Sequence, residues 1–438
     1  MSFATVPILF LLAAAVTAHG QLTIVKRVHS FGLVNQMGIQ PKAGVIIGSD
    51  GYLYGTASGG GKNRYGVVFK VHPSGADYQV LHHFDVGNSF DGAVPNAGLM
   101  EGSDGLLYGT TSQGGIYRSG TLFKLKKNGT RFAVLHHFGE SSEEGLSPQA
   151  AVIEGSDGKL YGTTLRGPGG GEGMIYGLNK DGAGFQILRL FNADGSDGMY
   201  PYCALLEGRD GALYGTASER GSTNAAATFG TVYKINKDGS GFMLLKSFAP
   251  GIAGNVQAGL IEGSNGTLYG TSVLGGSADS GTVFKIQNDG QNFATLHSFG
   301  TASDASEPFK ELTEGQDGAL YGTTLQGGDG GVGTVFRINK DGSGYVILHH
   351  FQGLSDGMLP RCKLVQAPSG ELFGTTELGG WDGHGTVFAI GTNGLNYRTL
   401  WEFSFSGGDT RLPQSALVEG PDGALYGAGF EGGIFKMD

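Results

Sequence analysis

Apolar and polar residues alternate along this chain in short runs, which are separated by turns rich in glycine, asparagine and aspartate. Such alternation predicts β-strands, and Asp-Gly between two runs predicts a tight hairpin because glycine accepts the positive φ of the turn. One stretch therefore reads as four antiparallel strands, A to D, at residues 310–314, 320–324, 333–338 and 345–351. The A–B and C–D turns are short, whereas the B–C loop is long and rich in glycine.

This four-strand unit recurs along the chain. An aromatic residue followed by glycine marks strand B in eight copies, at intervals of 52 to 55 residues. The aromatic residues are Tyr54, Tyr108, Tyr161, Tyr214, Tyr269, Tyr321, Phe373 and Tyr426. A steady period of this length with four strands per unit is typical of the blades of a β-propeller.

The two ends of the chain carry complementary fragments of the unit. The chain begins with a strand of type D at residues 23–31 and ends after a strand of type C at residues 432–437. An open array would expose sheet edges, whereas pairing of these two segments completes the eighth unit. The sequence therefore predicts an all-β fold, a single eight-bladed β-propeller over residues 22–438. Its blades are four-stranded and antiparallel, and the N-terminal strand closes the ring on the C-terminal strands.

The repeated motif is specific enough to compare with known families. The pattern L-x-E-G-x-D-G-x-L-Y-G-T-T, followed by G-G, G-T-V-F-K-I, N-x-D-G and L-H-x-F, resembles the GloVer-type tandem repeat of exported bacterial surface proteins. The resemblance spans nearly all of the chain after its first twenty residues. It implies secretion and a propeller-like repeat, and it supplies no catalytic residues to transfer to this sequence.

Composition and the N-terminus indicate where the protein acts. The formal net charge is −10 and no basic run occurs, so nucleic acid and anionic membrane surfaces are not expected partners. An apolar run at residues 6–16, followed by Ala18 and Gly20, predicts a signal peptide at residues 1–20; a buried strand or a membrane anchor is the alternative. The run is shorter than the ~20 residues that span a bilayer. We expect a secreted monomer, extracellular or periplasmic, without a transmembrane segment in the mature chain.

The two cysteines occupy the same position of the repeat. Cys203 and Cys362 each lie two residues after a proline at the start of strand A, three units apart. In a ring of eight units this separation exceeds the ~7 Å between Cα atoms that a disulfide allows. The sequence predicts two free, buried thiols.

Most repeated polar residues have a structural interpretation. Glutamates at the end of strand A, such as Glu207, are expected to pair with a base on strand C, such as Lys234. His-His pairs, such as His82 and His83, are expected on a solvated rim, because successive strand residues face opposite sides of a sheet and do not readily chelate one metal ion. The Asn-x-Asp-Gly turns lack the glutamate that completes a calcium loop. We therefore predict no metal and no cofactor.

Departures from the repeat mark the candidate site. They cluster in blades 6 and 7, with a contribution from blade 4, on the face that carries the long D–A and B–C connections. Aromatic rings cover the apolar face of a sugar, while charged groups bind its hydroxyls or acids. The predicted ligand-binding residues are Trp381, Asp382, His384, Arg361, Lys363, Lys310, Glu311 and Tyr202.

Three classes of function fit this sequence. An extracellular binding or interaction module, for carbohydrate, a cell-surface partner or another polar ligand, is favoured because no catalytic residues stand out. A carbohydrate-active lyase or hydrolase would need an acid/base pair such as Glu311 or Asp382 with His384. A structural component of a cell-envelope assembly would need an exposed apolar patch on the ring.

Overall fold

A computed structural model of the chain describes most of the predicted propeller. The described residues are 25–30, 38–87, 90–141, 143–167, 172–192, 194, 196–219, 229–249, 251–300, 304–354, 356–403, 411–431 and 433–437. The predicted signal peptide at residues 1–20 and an insertion of blade 4 near residues 222–227 lie outside them. Within these ranges the secondary structure is β-strand and turn, without a helix.

The strands form eight sheets of the predicted A-B-C-D order, each antiparallel. The A strands are Ile46–Ile47, Met100–Glu101, Ile153–Glu154, Leu206–Glu207, Ile261–Glu262, Thr313–Glu314, Val365–Gln366 and Val418–Glu419. The B strands are Leu53–Ala57, Leu107–Thr111, Leu160–Thr164, Leu213–Ala217, Leu268–Ser272, Leu320–Thr324, Leu372–Thr376 and Leu425–Glu431. The C strands are Val67–Val71, Thr121–Leu125, Met174–Leu178, Thr231–Ile235, Thr282–Ile286, Thr334–Ile338, Thr386–Ile390 and Gly433–Met437. The D strands are Gln79–His83, Ala133–His137, Gln186–Leu190, Met243–Ser247, Ala294–Ser298, Val346–His350, Arg398–Glu402 and, in blade 8, Val25–Ser30.

The ring closes as predicted. Val25–Ser30 pairs antiparallel with Gly433–Met437, from Val25 opposite Met437 to Ser30 opposite Gly433, with one register shift between Arg27 and His29. The apolar core that follows this junction joins Val28 and Tyr426 of blade 8 to Leu53 and Phe69 of blade 1. Equivalent clusters lie between the other successive blades, for example from Tyr54 of blade 1 to Phe123 of blade 2. The hydrophobic core is therefore distributed over the interfaces between blades.

The long connections are ordered by pairing that the sequence did not predict. In each blade the incoming D–A connection forms a short antiparallel ladder or bridge with the B–C loop. Two-residue ladders join Gly38–Ile39 to Gly59–Gly60, Gly92–Ala93 to Gln113–Gly114, and Ala305–Ser306 to Gln326–Gly327. Arg411–Pro413 pairs with the end of Leu425–Glu431 in blade 8, and single bridges join the connections of blades 3, 4, 5 and 7. We call this side of the ring the long-loop face.

Each residue of the Tyr-Gly-Thr motif has a separate structural role. The Tyr321 hydroxyl donates to Asp317 of the A–B turn over 2.8 Å. A Cβ on Gly322 would lie 2.5 Å from Cζ of Phe336, so only glycine lets strands B and C pack at this point. The Thr323 hydroxyl donates over 3.0 Å to the carbonyl of Cys362 in the next blade. The motif thus fixes a turn, a packing contact within the blade and a contact between blades.

A glycine before strand C also joins neighbouring blades. Gly173 has a φ of +95°, and a Cβ at this position would lie 2.4 Å from Cδ of Pro201 in the next blade. Glycine accepts this backbone conformation at little steric cost. Glycines in five further blades approach the proline of the following blade in the same way, at Gly66, Gly120, Gly281, Gly333 and Gly385.

The glutamates of strand A pair with a different base from the one predicted. Glu207 binds Lys237 in the C–D turn of its own blade, and accepts hydrogen bonds from the amide and hydroxyl of Ser156 in the preceding blade, over 2.8 and 2.6 Å. Lys234 of strand C instead binds Asp210 of the A–B turn at 2.7 Å. The expected pairing of Glu207 with Lys234 was therefore wrong, because the A–B and C–D turns meet at one edge of the blade.

The glutamate and the turn lysine are either both present or both absent in six blades. Both are present in four blades, as Glu101 with Lys127, Glu154 with Lys180, Glu207 with Lys237 and Glu314 with Lys340. Blade 7 has Gln366 and Thr392 at these positions, and blade 1 has Ile47 and Pro73. Blade 5 keeps Glu262 opposite Asn288, and there the backbone amide of Arg209 donates to the acid over 2.9 Å. This agreement in six blades supports a structural role for the glutamates of strand A.

The sequence predicted a solvated rim for the histidine pairs, but in the structure both histidines contact other parts of the protein. His82 binds Asp91 of the following D–A connection at 3.0 Å and stacks on Phe132 of the next blade, with 3.5 Å between the ring centroids. His136, His297 and His349 make equivalent contacts. The second histidine accepts a hydrogen bond from the B–C loop, from Lys62 to His83 over 3.2 Å. The pairs therefore connect strand D to the loops and to the neighbouring blade.

The two cysteines are free, as predicted, but differ in burial. Cys362 is buried, whereas Cys203 is only partly so, and its thiol contacts the carbonyl of Gln257 in blade 5. Burial raises the pKa of Cys203 to about 12, with nearby Glu311 acting in the same direction. Burial also raises the pKa of Cys362.

The acid–lysine pairing predicts a coupled effect on stability. Glu207→Gln should lower the free energy of unfolding by ~1–2 kcal/mol, because it leaves the largely buried ammonium of Lys237 without its carboxylate. Glu207→Gln/Lys237→Thr reproduces the pair of blade 7 and should cost less than the sum of the two single changes, with a coupling of ~1 kcal/mol measured by urea unfolding. Gln366→Glu in blade 7 is the control: it should destabilise the protein, and Gln366→Glu/Thr392→Lys should recover the loss. Additive effects in blade 4 would contradict the pairing.

The stability of the protein should fall in two stages as the pH is lowered. Burial lowers the pKa of His83 and His137, and the adjacent His82 and His136 lower it further. The folded state therefore binds fewer protons than the unfolded state at these histidines. Their contribution to the free energy of unfolding is fully present above their usual pKa of 6.5 and is lost as the pH falls below it. For Glu101 and Glu207, burial alone would raise the pKa, but hydrogen bonds from lysine and serine outweigh it and lower the pKa. The contribution of these glutamates to the free energy of unfolding is fully present above their usual pKa of 4.5 and is lost as the pH falls below it.

The urea midpoint should consequently be constant above about pH 7, decline below about 6.5 and decline again below about 4.5. His83→Asn/His137→Asn keeps an acceptor at each position and should reduce the first decline while leaving the second unchanged. A midpoint that stays constant from pH 7 to pH 5 in the native protein would contradict this assignment.

Candidate functional site

The A strands and the segments that precede them form the inner circumference of the ring. A Cβ on Gly98 would lie 3.7 Å from the Cβ of Ala43 in the preceding blade, and one on Gly44 would lie 3.3 Å from the carbonyl oxygen of Ala416. The blades of a propeller surround a central channel, and strand A lies at the edge of each sheet opposite strand D. The residues of these segments therefore line a central channel, which opens at the long-loop face.

Two sets of residues line this opening. The first, one residue after the proline position of the D–A connection, is called the mouth ring. It comprises Lys42, Asn96, Gln149, Tyr202, Gln257, Phe309, Arg361 and Gln414. The second, two residues further along, is called the wall ring. It comprises Gly44, Gly98, Ala151, Ala204, Gly259, Glu311, Lys363 and Ala416. Six members of the wall ring are glycine or alanine, so Glu311 and Lys363 stand out as its charged residues.

Blades 6 and 7 place a mixed aromatic and charged group at the mouth. The guanidinium of Arg361 lies 5.2 Å from the centroid of the Phe309 ring, and the ammonium of Lys310 lies 5.7 Å from it. Arg361 is also paired at 2.6 Å with Glu377, which accepts a hydrogen bond from Gln414 over 2.6 Å. The structure thus brings Lys310 and Arg361 together around one aromatic ring, and Glu377 holds Arg361 in place.

Glu311 leans over the neighbouring blade 5. Its Oε1 accepts a hydrogen bond from the amide of Gly259 over 3.2 Å, and a Cβ at Gly259 would lie 3.1 Å from the same oxygen. The carboxylate is close enough to Cys203 of blade 4 to contribute to the raised pKa of that thiol. The glycine of the wall ring in blade 5 therefore makes room for the acid of blade 6.

Two lysines of this group have no anionic partner in the part of the chain that the structure describes. Lys310 occupies the position that Cys362 holds in blade 7 and that alanine holds in four other blades. The small side chains at this position are mostly buried. Lys363 replaces a small residue of the wall ring and is half-exposed. Among the described residues neither ammonium forms a hydrogen bond or an ion pair, whereas Arg361 is neutralised by Glu377. The mouth between blades 6 and 7 carries unbalanced positive charge in a protein of net charge −10.

The remaining predicted residues lie elsewhere on the long-loop face. Trp381 is 88% exposed, and its backbone amide donates to Glu402 of strand D, at the outer side of blade 7. Asp382 follows it and is also exposed. The carbonyl of His384 accepts a hydrogen bond from Leu412 of blade 8 over 2.9 Å, whereas Glu311 faces blade 5. The structure thus places the carboxylate of Glu311 beside blade 5 and the backbone of His384 beside blade 8. Tyr202 belongs to the mouth ring of blade 4 and is 49% exposed.

Phe309, Glu377 and Gln414 belong to the blade 6 and 7 group but are missing from the predicted set. The ring of Phe309 accepts both Lys310 and Arg361, while Glu377 and Gln414 orient Arg361. Phe309 and Gln414 could have been found in the sequence by their position, because each directly follows the proline of the D–A connection, as Arg361 does. Within the described residues no group of three histidine, cysteine, aspartate or glutamate side chains is arranged to hold a metal ion.

Comparisons with solved structures return propeller proteins of low identity. A streptogramin B lyase is 14% identical over 95% of this chain and 97% of its own, with a TM-score of 0.48. A putative 6-phosphogluconolactonase from Bacteroides fragilis is 14% identical over 83% and 96%, with a TM-score of 0.48. A periplasmic gluconolactonase from Pseudomonas aeruginosa is 17% identical over 80% and 94%, with a TM-score of 0.47.

Comparisons at the level of sequence give a family. Among curated proteins no sequence matches this chain. Among the residues described, none belongs to a helix long and apolar enough to cross a membrane. The family model of the Gloeobacter/Verrucomicrobia repeat matches twice, at residues 15–229 and 204–437, which together span nearly the whole chain. The chain therefore belongs to the Gloeobacter/Verrucomicrobia repeat family.

Proposed function

We propose that this protein is an exported binding module that takes an acidic carbohydrate, or another polar ligand with a carboxylate, at the channel mouth of blades 6 and 7. The observation that carries the proposal is the pair Lys310 and Lys363, which have no anionic partner among the described residues. A partly buried ammonium is costly unless it is paired, so this position favours a bound anion.

The surroundings of the two lysines suit a sugar acid. The ring of Phe309 and the half-exposed ring of Tyr202 offer apolar surface to the face of a sugar. Glu311 and the mouth-ring amide of Gln257 offer acceptors and donors to hydroxyl groups. A carboxylate would lie on the lysines, and the sugar ring would extend over the mouth ring.

Export is supported by the N-terminal sequence. The apolar run at residues 6–16 and the small residues Ala18 and Gly20 suit a cleaved signal peptide. An acidic polysaccharide of the cell surface is then an accessible partner. Binding without turnover is favoured because Glu311 accepts a hydrogen bond from the backbone amide of Gly259 and has no histidine partner among the described residues.

Removal of the two lysines tests this function. Lys310→Ala/Lys363→Ala should weaken binding of an acidic glycan by ~10- to 100-fold, because a hydrogen bond to a charged group contributes ~1.5–3 kcal/mol. A glycan array would identify the ligand, and titration calorimetry would measure its affinity for native and variant protein. Lys42→Ala, at the mouth ring of blade 1, is the matched control and should leave affinity unchanged.

Two further results separate the alternatives. Trp381→Ala should leave affinity unchanged if the inner group alone binds, and a loss of more than ~10-fold would extend the site to the outer side of blade 7. Turnover of array ligands should be absent. Native affinity in Lys310→Ala/Lys363→Ala, or binding restricted to neutral glycans, would contradict the proposal.

A further inference from the structure

The face opposite the long loops carries a regular charge pattern. In three blades the base on strand C binds the aspartate of the A–B turn in its own blade: Lys234 with Asp210 at 2.7 Å, Arg337 with Asp317 at 3.3 Å and Lys436 with Asp422 at 3.1 Å. The same aspartates accept the hydroxyl of the tyrosine in strand B. Two other bases of strand C are held differently: Lys124 donates to the carbonyl of Lys180 in the next blade over 2.7 Å, and Lys70 lies over the ring of Tyr52.

Blade 5 departs from this pattern at the aspartate. Asn265 stands in its place, and its Nδ2 donates to the Tyr269 hydroxyl over 2.9 Å. The base of the blade, Lys285, consequently lacks the carboxylate that Lys234, Arg337 and Lys436 bind. Among the described residues Lys285 forms no hydrogen bond and no ion pair. It acts only weakly on Asp341, whose pKa is lowered first by hydrogen bonds from Ser343 and last by Lys285.

A cleft of about 600 Å³ lies at this position, between blades 5 and 6. Its lining includes the amides of Asn265, Gln287 and Asn292 and the charged side chains of Lys285, Lys340 and Asp341. Asp341 itself accepts hydrogen bonds from the amide and hydroxyl of Ser343. The volume is within the ~300–1,000 Å³ range of small-molecule sites. The cleft is independent of the channel mouth, because the A–B and C–D turns form it and they lie on the other face of the ring.

The cleft exists because two further positions of blade 5 are small. Thr267 and Ala294 occupy positions that hold Glu371 and Arg398 in blade 7, where the two side chains pair at 2.6 Å. Tyr52 fills the first position in blade 1, with Lys70 above its ring at 4.9 Å, and Met243 fills the second in blade 4. Blade 5 therefore combines an open space with a lysine that has lost its acid.

We propose that this cleft binds a small hydroxylated carboxylic acid of the sugar-acid type. The carboxylate takes the place of the missing aspartate and pairs with Lys285. The side-chain amides of Asn265, Gln287 and Asn292 both donate and accept hydrogen bonds, which suits hydroxyl groups. Lys340 does not compete for the carboxylate, because it is bound by Glu314 and by the hydroxyl of Ser264 at 2.7 Å.

Substitutions that restore the repeat pattern test the cleft. The probe is D-glucuronate, titrated into the full-length protein and followed by calorimetry or by chemical shifts. Asn265→Asp returns the aspartate of the other blades and should lower affinity by at least ~10-fold, because an internal carboxylate occupies Lys285. This variant should be at least as stable as the native protein, so a loss of binding is not a loss of folding. Lys285→Met should lose affinity to a similar degree.

A matched pair of substitutions tests the space. Ala294→Met fills the cleft as Met243 does in blade 4 and should abolish binding, whereas Ala133→Met, at the same position of blade 2, should leave it unchanged. Lys310→Ala/Lys363→Ala should not affect this site, which separates it from the channel mouth. The proposal is overturned if Asn265→Asp and Ala294→Met keep native affinity, or if no binding occurs at ~10 mM probe. Equal binding of inorganic sulfate would also overturn it, since the cleft would then hold a simple anion.

Discussion

The hydrogen bonds between Val25–Ser30 and Gly433–Met437 are the constraint on which the structure depends, because they turn a row of repeats into a ring. A closed ring requires every blade to present the same surface to its neighbour. The repeated contacts serve this need. The threonine of Tyr-Gly-Thr reaches the next blade, the glycine before strand C accepts the proline of the next blade, and the first histidine of strand D stacks on the following aromatic ring.

Ring closure also explains why some positions repeat from blade to blade while others differ and form candidate sites. Within one chain, positions that join blades carry the same residue types from unit to unit, as the paired presence of glutamate and turn lysine illustrates. Positions that face the channel or the turns are free to differ without opening the ring. Lys310 and Lys363 at the mouth, and Asn265 with Ala294 on the opposite face, are differences of this kind. In both places a lysine has no carboxylate partner among the described residues.

The sequence predicted the strands, the blade order and the closure, because alternation and Asp-Gly turns are local signals and the strand offset between the two chain ends is visible by alignment of the repeats. It misassigned the partner of Glu207, since the meeting of the A–B and C–D turns depends on the twist of the blade. It also missed the ladders on the long-loop face, because glycine-rich loops carry no alternation. The histidines were placed on a solvated rim for a similar reason: their aromatic partners, such as Phe132 for His82, belong to the next repeat.

The candidate site was predicted in part. Departures from the repeat led to Lys310 and Arg361, which do meet around Phe309. Trp381 was grouped with them because it is equally unusual, yet its backbone is bound to the outer strand of blade 7. The cleft of blade 5 was overlooked, although Asn265 is visible in the sequence, because its meaning appears only once Asp210 is seen to bind Lys234.

Ring closure is tested most directly by a cross-link between the two ends of the chain. Lys26 and Lys436 are opposite each other across the closing strands. Lys26→Cys/Lys436→Cys, in a Cys203→Ala/Cys362→Ala background, should form an intramolecular disulfide on mild oxidation, since paired strand residues lie within the range of Cα separations that a disulfide accepts. The oxidised monomer should migrate faster in a non-reducing gel and unfold at a higher temperature than its reduced form. Lys26→Cys with Lys285→Cys should not cross-link, and disulfides that form only between molecules, or not at all, in the first variant would contradict a closed eight-bladed ring.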